Sequence, residues 1–100
     1  MDVALTLKRL NEDLSSLIEG GDFEGAEEFL SASLGNHPEY HAFIHFQFGR
    51  LYHRWNKLSS AIHHLHHAVD LTIAQGNELY LVSILDELNA VKRRQSDQRP

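Results

Sequence analysis

The sequence predicts an all-α protein built from antiparallel helix–turn–helix units. Apolar residues recur every three or four positions along nearly the whole chain, which is the period of an amphipathic helix. No segment shows the sustained apolar–polar alternation of a half-buried strand. Short breaks such as GNHP at 35–38 divide the chain into five segments. Because such short connections force consecutive helices to run antiparallel, the segments should stack as helical hairpins.

The first two helices are predicted over residues 2–19 and 23–34. Asp2 and Asp22 are suitable N-caps, because a carboxylate accepts a hydrogen bond from a free amide of the first helical turn. Gly20–Gly21 ends the first helix, since glycine readily adopts the left-handed conformation that follows a helix. The apolar face consists of Leu7, Leu10, Leu14, Leu17 and Ile18 in helix one, and of Phe23, Ala26, Phe29, Leu30 and Leu34 in helix two.

The remaining helices are predicted over residues 39–54, 59–75 and 77–94, followed by a disordered basic tail over 95–100. Helix three is apolar on two faces, so it should lie between neighbours or turn one face toward a ligand. Ser59 is a suitable cap for helix four. The apolar residues are Phe43, Ile44, Phe46, Phe48 and Leu51 in helix three, Ala61, Ile62, Leu65, Ala68, Val69 and Ile73 in helix four, and Leu81, Ile84, Leu85, Leu88 and Val91 in helix five.

Composition narrows the classes of function. One hundred residues, 42% apolar and 23% charged, fit a single globular domain over 1–94. The net charge of −5 disfavours nucleic-acid binding. With no cysteine, no signal-peptide pattern and no membrane-spanning apolar run, we expect a cytoplasmic protein that does not bind membranes. The chain also lacks a glycine-rich phosphate loop and a G-x-S-x-G motif, so we expect neither catalysis nor a cofactor.

Residues 14–38 align with residues 49–73, and four of the aligned pairs match apolar with apolar positions, although Leu14 aligns with Gly49 and Leu17 with Tyr52. The four matching pairs are Phe23 with Leu58, Ala26 with Ala61, Leu30 with Leu65, and Leu34 with Val69. A helix–turn–helix unit with a period near 34 residues resembles the tetratricopeptide repeat, with its W-x2-L-G-x2-Y and A-x3-F patterns. The residues that carry this resemblance are Phe48, Gly49, Tyr52, Ala61, Leu65 and Ala68 in the second unit, and Gly21, Phe23, Ala26, Leu30, Leu34 and Pro38 in the first.

The resemblance covers residues 5–91 and implies two repeat units plus a C-terminal capping helix, wound into an α–α superhelix. His45 replaces the tryptophan of the pattern, and Leu14 replaces its first glycine. The family's concave groove implies the partner-binding residues Lys8, Asn11, Ser15, Phe43, Phe46, Arg50, His53 and Arg54. Phe46 and Gln47 replace the lysine–asparagine clamp of some members, which argues against binding of chaperone tails.

Three functions remain in view. The first is a non-catalytic adaptor or scaffold that binds a protein or peptide partner, either acidic or ending in a C-terminal carboxylate, since Arg50 and Arg54 share a helix face. Phe43 and Phe46 could instead pack beneath neighbouring helices. The second is a small secretion-type chaperone or obligate heterodimer subunit that shelters an apolar partner helix. Homodimerisation also remains open, because two units fall below the three that such repeats usually need. The third is a histidine-based protein that responds to metal or pH.

The segment AIHHLHHAVD, residues 61–70, contains four histidines. His63 and His67 are spaced four apart, as are His41 and His45, and this spacing can chelate a metal from one helix. Ala61, Leu65 and Ala68 define the inward line, so His63, His66 and His67 should face solvent. We therefore predict no metal site, with His63 and His67 as the candidates that spacing leaves open. The ordinary histidine pKa of about 6.5 permits a pH response.

Overall fold

The computed structural model describes residues 3–76 and 80–98. These residues form α1 (Val3–Glu19), α2 (Phe23–Asn36), a 3-10 turn (Pro38–Tyr40), α3 (His41–Arg54), α4 (Leu58–Gln75) and α5 (Leu81–Asp97). No strand occurs within the described ranges. The all-α helix–turn–helix arrangement predicted from the sequence is therefore confirmed. None of the helices in these ranges is long and apolar enough to cross a membrane.

The ends of the helices follow from local chemistry. Oδ1 of Asp22 accepts a hydrogen bond from the amide of Gly25 at 2.9 Å, which confirms the predicted cap of α2. Gly21 (φ 78°) and Gly76 (φ 68°) adopt the left-handed conformation after α1 and α4. The cap predicted at Asp2 lies outside the described residues.

The turn between α3 and α4 is tighter than predicted. Asn56 adopts a positive φ of 60°, and the amide of Lys57 donates to the carbonyl oxygen of Tyr52 at 2.8 Å. Because the turn is this short, α4 begins at Leu58, whose side chain is buried. Ser59 lies inside that helix, so its predicted role as a cap is wrong.

The C-terminal helix extends three residues beyond its predicted end at residue 94, because α5 continues to Asp97. The side chain of Gln98 donates to Oδ1 of Asn56 at 2.9 Å, which ties the end of α5 to the α3–α4 turn. The prediction of a disordered tail from residue 95 is therefore wrong for residues 95–97, which are helical. Residues 77–79, where helix five was predicted to begin, and residues 99–100 lie outside the described ranges.

Helix α3 lies between the two halves of the protein. One buried cluster joins α3 to α1 and α2, and it consists of Leu14, Ala26, Leu30, Ile44, Phe48 and Leu51. The other joins α4 to α5 with Phe46 and Tyr52 of α3 packed against it, and it consists of Leu58, Ala61, Leu65, Ala68, Ile84, Leu88 and Val91. Helix α3 therefore has neighbours on both of its apolar faces, which is one of the two arrangements that the sequence left open.

Helices α3 and α4 approach each other most tightly at Gly49. A Cβ atom at this position would overlap Cγ and Cδ2 of Leu65. Leu65 is completely buried, and so are Ala61 and Ala68 on the same face of α4. Because a buried leucine has no free space into which it can move, small residues set the separation of the two helices.

Replacing Gly49 with alanine should lower the free energy of unfolding by about 1–3 kcal/mol, because overpacking outweighs the gain in helix propensity. The matched control is Gly35→Ala in α2, where an added Cβ meets nothing within 4 Å. This control should be neutral or stabilising by up to about 1 kcal/mol. Urea unfolding followed by circular dichroism measures both values. Equal unfolding free energies in the two variants would show that Gly49 does not set the helix separation.

Candidate functional site

Three of the residues predicted to bind a partner meet between α1 and α3. A cavity there is lined by Ser15, Ile18 and Glu19 of α1 and by Arg50 and Arg54 of α3. We call the space between these two helices the α1–α3 groove. The volume of the cavity is about 70 Å³, roughly twice the ~30 Å³ that one molecule occupies in liquid water. A group the size of a carboxylate therefore fits between the two helices.

A second cavity lies at the N-terminal end of α3, with a volume of about 270 Å³. It is lined by Leu7, Glu39, Tyr40, Ala42, Phe43, Gln75 and Tyr80. The rings of Phe43 and Tyr80 meet edge to face, with centroids 6.1 Å apart. Phe43 and Arg50 lie seven residues apart, so they share a face of α3 and are separated by roughly 10 Å along its axis. Both cavities are lined by residues of α1 and α3. We call the cavity at Phe43 the aromatic end of this surface and the cavity at Arg50 its cationic end.

Phe46 contacts Arg50 of the cationic end. It is half-buried against the α4–α5 cluster, and the guanidinium carbon of Arg50 lies 5.9 Å from its ring centroid. The guanidinium also donates a long hydrogen bond of 3.4 Å to Oε1 of the buried Gln47. Phe46 thus packs under a neighbouring helix, as the alternative interpretation held, and it also positions a groove residue.

His53 is engaged by α5. Its Nδ1 lies 2.8 Å from Oε1 of Glu87, and both side chains are partly shielded from solvent. Its backbone carbonyl oxygen accepts a hydrogen bond of 3.0 Å from Arg94. The structure therefore places His53 at the contact between α3 and α5, where it braces the two helices.

The predicted groove residues of α1 divide into two groups. Ser15 lines the cationic cavity. Lys8 and Asn11 are exposed, and Nζ of Lys8 lies 3.9 Å from Oε1 of Glu12, one helical turn away on the same surface. Among the eight predicted residues, Ser15, Arg50 and Arg54 share one cavity, and Phe43 lines the other.

Five histidines of α3 and α4 form a histidine cluster, defined here as His41, His45, His63, His64 and His67. Nδ1 of His45 lies 3.0 Å from Nδ1 of His64, and the two rings are stacked. The ring centroid of His67 lies 4.4 Å from that of His45. His63 and His67 are exposed as predicted, but His64 is half-buried against α3. In the part of the chain that the structure describes, no group of three or more histidine or acidic side chains is arranged to hold a metal ion.

The environment of the cluster favours uncharged rings at His45 and His64. Burial lowers the pKa of His45 to about 4, and nearby His67, His64, His41 and His63 lower it further by like-charge repulsion. Burial also lowers the pKa of His64, with contributions from His63 and His67. Both rings are therefore neutral near pH 7, and one Nδ1–H donates a hydrogen bond to the other Nδ1.

An aromatic column continues from the cluster toward α2. His64 stacks on Phe48 and Tyr52, with ring centroids 4.7 and 5.4 Å apart, respectively. Tyr52 stacks on Trp55 at 6.1 Å, and Trp55 stacks on Phe23 at 5.6 Å. The indole of Trp55 is thus linked to the histidine cluster through a single intervening ring.

The inward position of His64 had a signal in the sequence. His64 lies three residues after Ala61 and four before Ala68, so it shares their side of the helix. His45 occupies the tryptophan position in the resemblance drawn above. Comparisons with protein-family models, with curated proteins and with solved structures find no match.

Tyr52 should give the protein a stability change at alkaline pH. Its hydroxyl donates to Oε2 of Glu27 at 2.6 Å, and burial together with this carboxylate raises its pKa to about 12. Because the unfolded chain releases this proton near pH 10, stability is fully present below pH 10 and falls between about pH 10 and 12. Ultraviolet titration of tyrosinate should show one late-titrating group.

The matched variant for this titration is Glu27→Gln. Its Tyr52 pKa should fall part of the way toward 10, because burial, the larger cause, remains. A Tyr52 that titrates near 10 in the folded wild-type protein would contradict the assigned hydrogen bond.

Proposed function

We propose that the protein is a non-catalytic, tetratricopeptide-like adaptor that binds a peptide segment of a partner protein between α1 and α3. The supporting observation is the cavity that Arg50 and Arg54 line together with Ser15. Guanidinium groups bind carboxylates through paired, charge-assisted hydrogen bonds, and a serine hydroxyl supplies a further donor. The ligand is therefore an acidic side chain or a C-terminal carboxylate. A cytoplasmic location is part of this proposal.

The aromatic end of the groove restricts the ligand further. The cavity at Phe43 and Tyr80 lies roughly 10 Å from Arg50 along α3. An extended peptide advances about 3.3 Å per residue. A peptide that places an apolar side chain in this cavity would therefore place a carboxylate about three residues further along, beside Arg50 and Arg54.

Arg50 is partly ordered before any ligand binds. Its guanidinium lies over the half-buried ring of Phe46 and reaches the side chain of the buried Gln47. Binding costs less conformational entropy when the contacting side chain is already positioned. Arg50 is accordingly the anchor of the cationic end, while the exposed Arg54 contributes charge.

Glu19 lines the same cavity as the two arginines. Two positive charges and one negative charge leave the cavity with a net charge of +1. Replacing both arginines with glutamate makes the cavity strongly negative, so it should repel a carboxylate outright. Attraction between charges near the surface also weakens as salt increases.

The test is selection of binders from a displayed library of peptides with free C-termini, followed by fluorescence polarisation on the enriched peptides. We expect an apolar residue about three positions before an acidic residue or the terminus, with affinity that falls as salt rises. Arg50→Glu with Arg54→Glu should weaken binding at least tenfold. The variant should stay folded, because such surface charges contribute little to stability.

The matched control is Lys92→Glu with Arg93→Glu on the exposed face of α5, which makes the same change in total charge. This control should retain the wild-type affinity. Peptides that bind the two double variants equally well would place the binding surface outside the α1–α3 groove.

A second candidate function is an obligate subunit or small secretion-type chaperone, with homodimerisation as a variant of it. The specific observation is the exposure of three large apolar side chains near one end of the helix stack. Ile73 is 64% exposed, Val82 is 68% exposed and Leu85 is 40% exposed. Sedimentation of the purified protein distinguishes the two functions, because a stable monomer fits the adaptor and self-association fits the subunit.

A further inference from the structure

We propose that the histidine cluster is a proton-operated latch between α3 and α4. When its paired rings are neutral, they hold the two helices together. When the cluster takes up protons, the rings repel each other and the aromatic column behind them opens. This device is separate from the proposed peptide groove, which lies between α1 and α3.

The closed state depends on one shared hydrogen bond. With Nδ1 of His45 3.0 Å from Nδ1 of His64, one nitrogen must carry the proton and the other must offer its lone pair. The ring that accepts at Nδ1 carries its own proton at Nε2. The His64 ring also stacks on Phe48, the next ring of the aromatic column, and this contact holds it in place beside His45.

Proton uptake breaks this bond in two steps. The first proton adds at the free Nε2 of the donor ring, so the Nδ1–H···Nδ1 bond remains and becomes charge-assisted. The second proton adds at the accepting Nδ1, which places two N–H groups and two positive charges opposite each other. No hydrogen bond can then join the rings, and the helices lose this contact.

The surroundings give little compensation for those charges. After burial, like-charge repulsion is what lowers the pKa values of the pair, and it comes from His63 and His67 of α4 and, for His45, also from His41 of α3. On the α2 side, Glu27 accepts a hydrogen bond from Tyr52 further along the aromatic column. Asp70 of α4 is exposed three residues beyond His67. Acidification therefore builds up positive charge beside the pair.

The direction of the pH effect follows from the lowered pKa values of His45 and His64. The unfolded or opened chain binds protons near the ordinary histidine pKa of about 6.5, whereas the closed cluster resists protonation down to the pKa of His45, about 4. Between these limits the open state binds more protons. The closed state is thus fully favoured above pH 6.5 and loses stability as pH falls toward 4.

The protein carries its own reporter of the latch. Trp55 is its single tryptophan, and it stacks on Tyr52, which stacks on His64. Separation of the rings should expose the indole and shift its emission to longer wavelength. Far-ultraviolet circular dichroism on the same samples distinguishes opening of the column from loss of the helices.

The experiment is a titration of the wild-type protein from pH 7.5 to 3.5, followed by Trp55 fluorescence and by NMR of the histidine rings. We expect His45 to titrate well below the ordinary histidine pKa of about 6.5, with the emission shift accompanying titration of the His45–His64 pair. His45→Gln with His64→Gln should remove the emission shift in this range. His66→Gln, which changes an exposed histidine outside the cluster, should leave it unchanged.

Two results would overturn the latch. One is a His45 ring that titrates near 6.5 in the wild-type protein with no change in Trp55 emission. The other is the same emission shift in His66→Gln and in the double variant, which would assign the change to carboxylates. If the double variant does not fold at pH 7.5, the wild-type NMR titration alone decides, because it needs no substitution.

Discussion

The close approach of α3 and α4 at Gly49 is the contact on which the rest of the structure depends. Leu65 occupies the space that a side chain at Gly49 would need, and it is completely buried there. This contact fixes α3 against the α4–α5 half, while Ile44, Phe48 and Leu51 fix it against α1 and α2. Every residue of functional interest on α3 is consequently held by packing on both sides. The α1–α3 groove and the histidine cluster therefore use different faces of one fixed helix.

The tight helix pair also explains why a polar contact can occur inside an otherwise apolar layer. His45 and His64 satisfy each other at 3.0 Å and stack within a row of aromatic rings. Burying a polar group without a partner costs free energy. Two neutral imidazoles joined by one N–H···N hydrogen bond are therefore stable in this layer at neutral pH. The same arrangement has no stable equivalent once both rings are charged. Because the close packing of α3 and α4 holds the two rings together, the stability of this helix pair should depend on pH.

The sequence predicted the helices well because their signals are local. Apolar spacing, the cap at Asp22 and the glycine at Gly21 each act within one or two turns. The repeat pattern also singled out Gly49, Ala61 and Leu65, which the structure brings together where α3 and α4 approach each other most closely. Contacts between distant residues were beyond such signals, as the bond between His53 and Glu87 across 34 positions shows.

The lining of the cavity between α1 and α3 could be predicted only in part, for a related reason. Periodicity gives the face on which a residue lies, but the rotation of α1 relative to α3 depends on how Leu14 packs in the assembled core. That rotation brings Ser15 to the arginines and leaves Lys8 and Asn11 on the exposed surface. The inward turn of His64 was available from its spacing to Ala61 and Ala68. The prediction assigned the neighbouring His63, His66 and His67 to the solvent face and did not separate His64 from them.

The most direct test of the central claim is native-state hydrogen exchange resolved by residue. If the contact at Gly49 is the constraint on which the fold depends, the amides of α3 and α4 around Gly49 and Leu65 should exchange only through global unfolding. Amides of α1 should exchange faster, through local opening. The opposite order, with α1 and α2 protected longest while α3 separates from α4 in a smaller opening, would contradict this account.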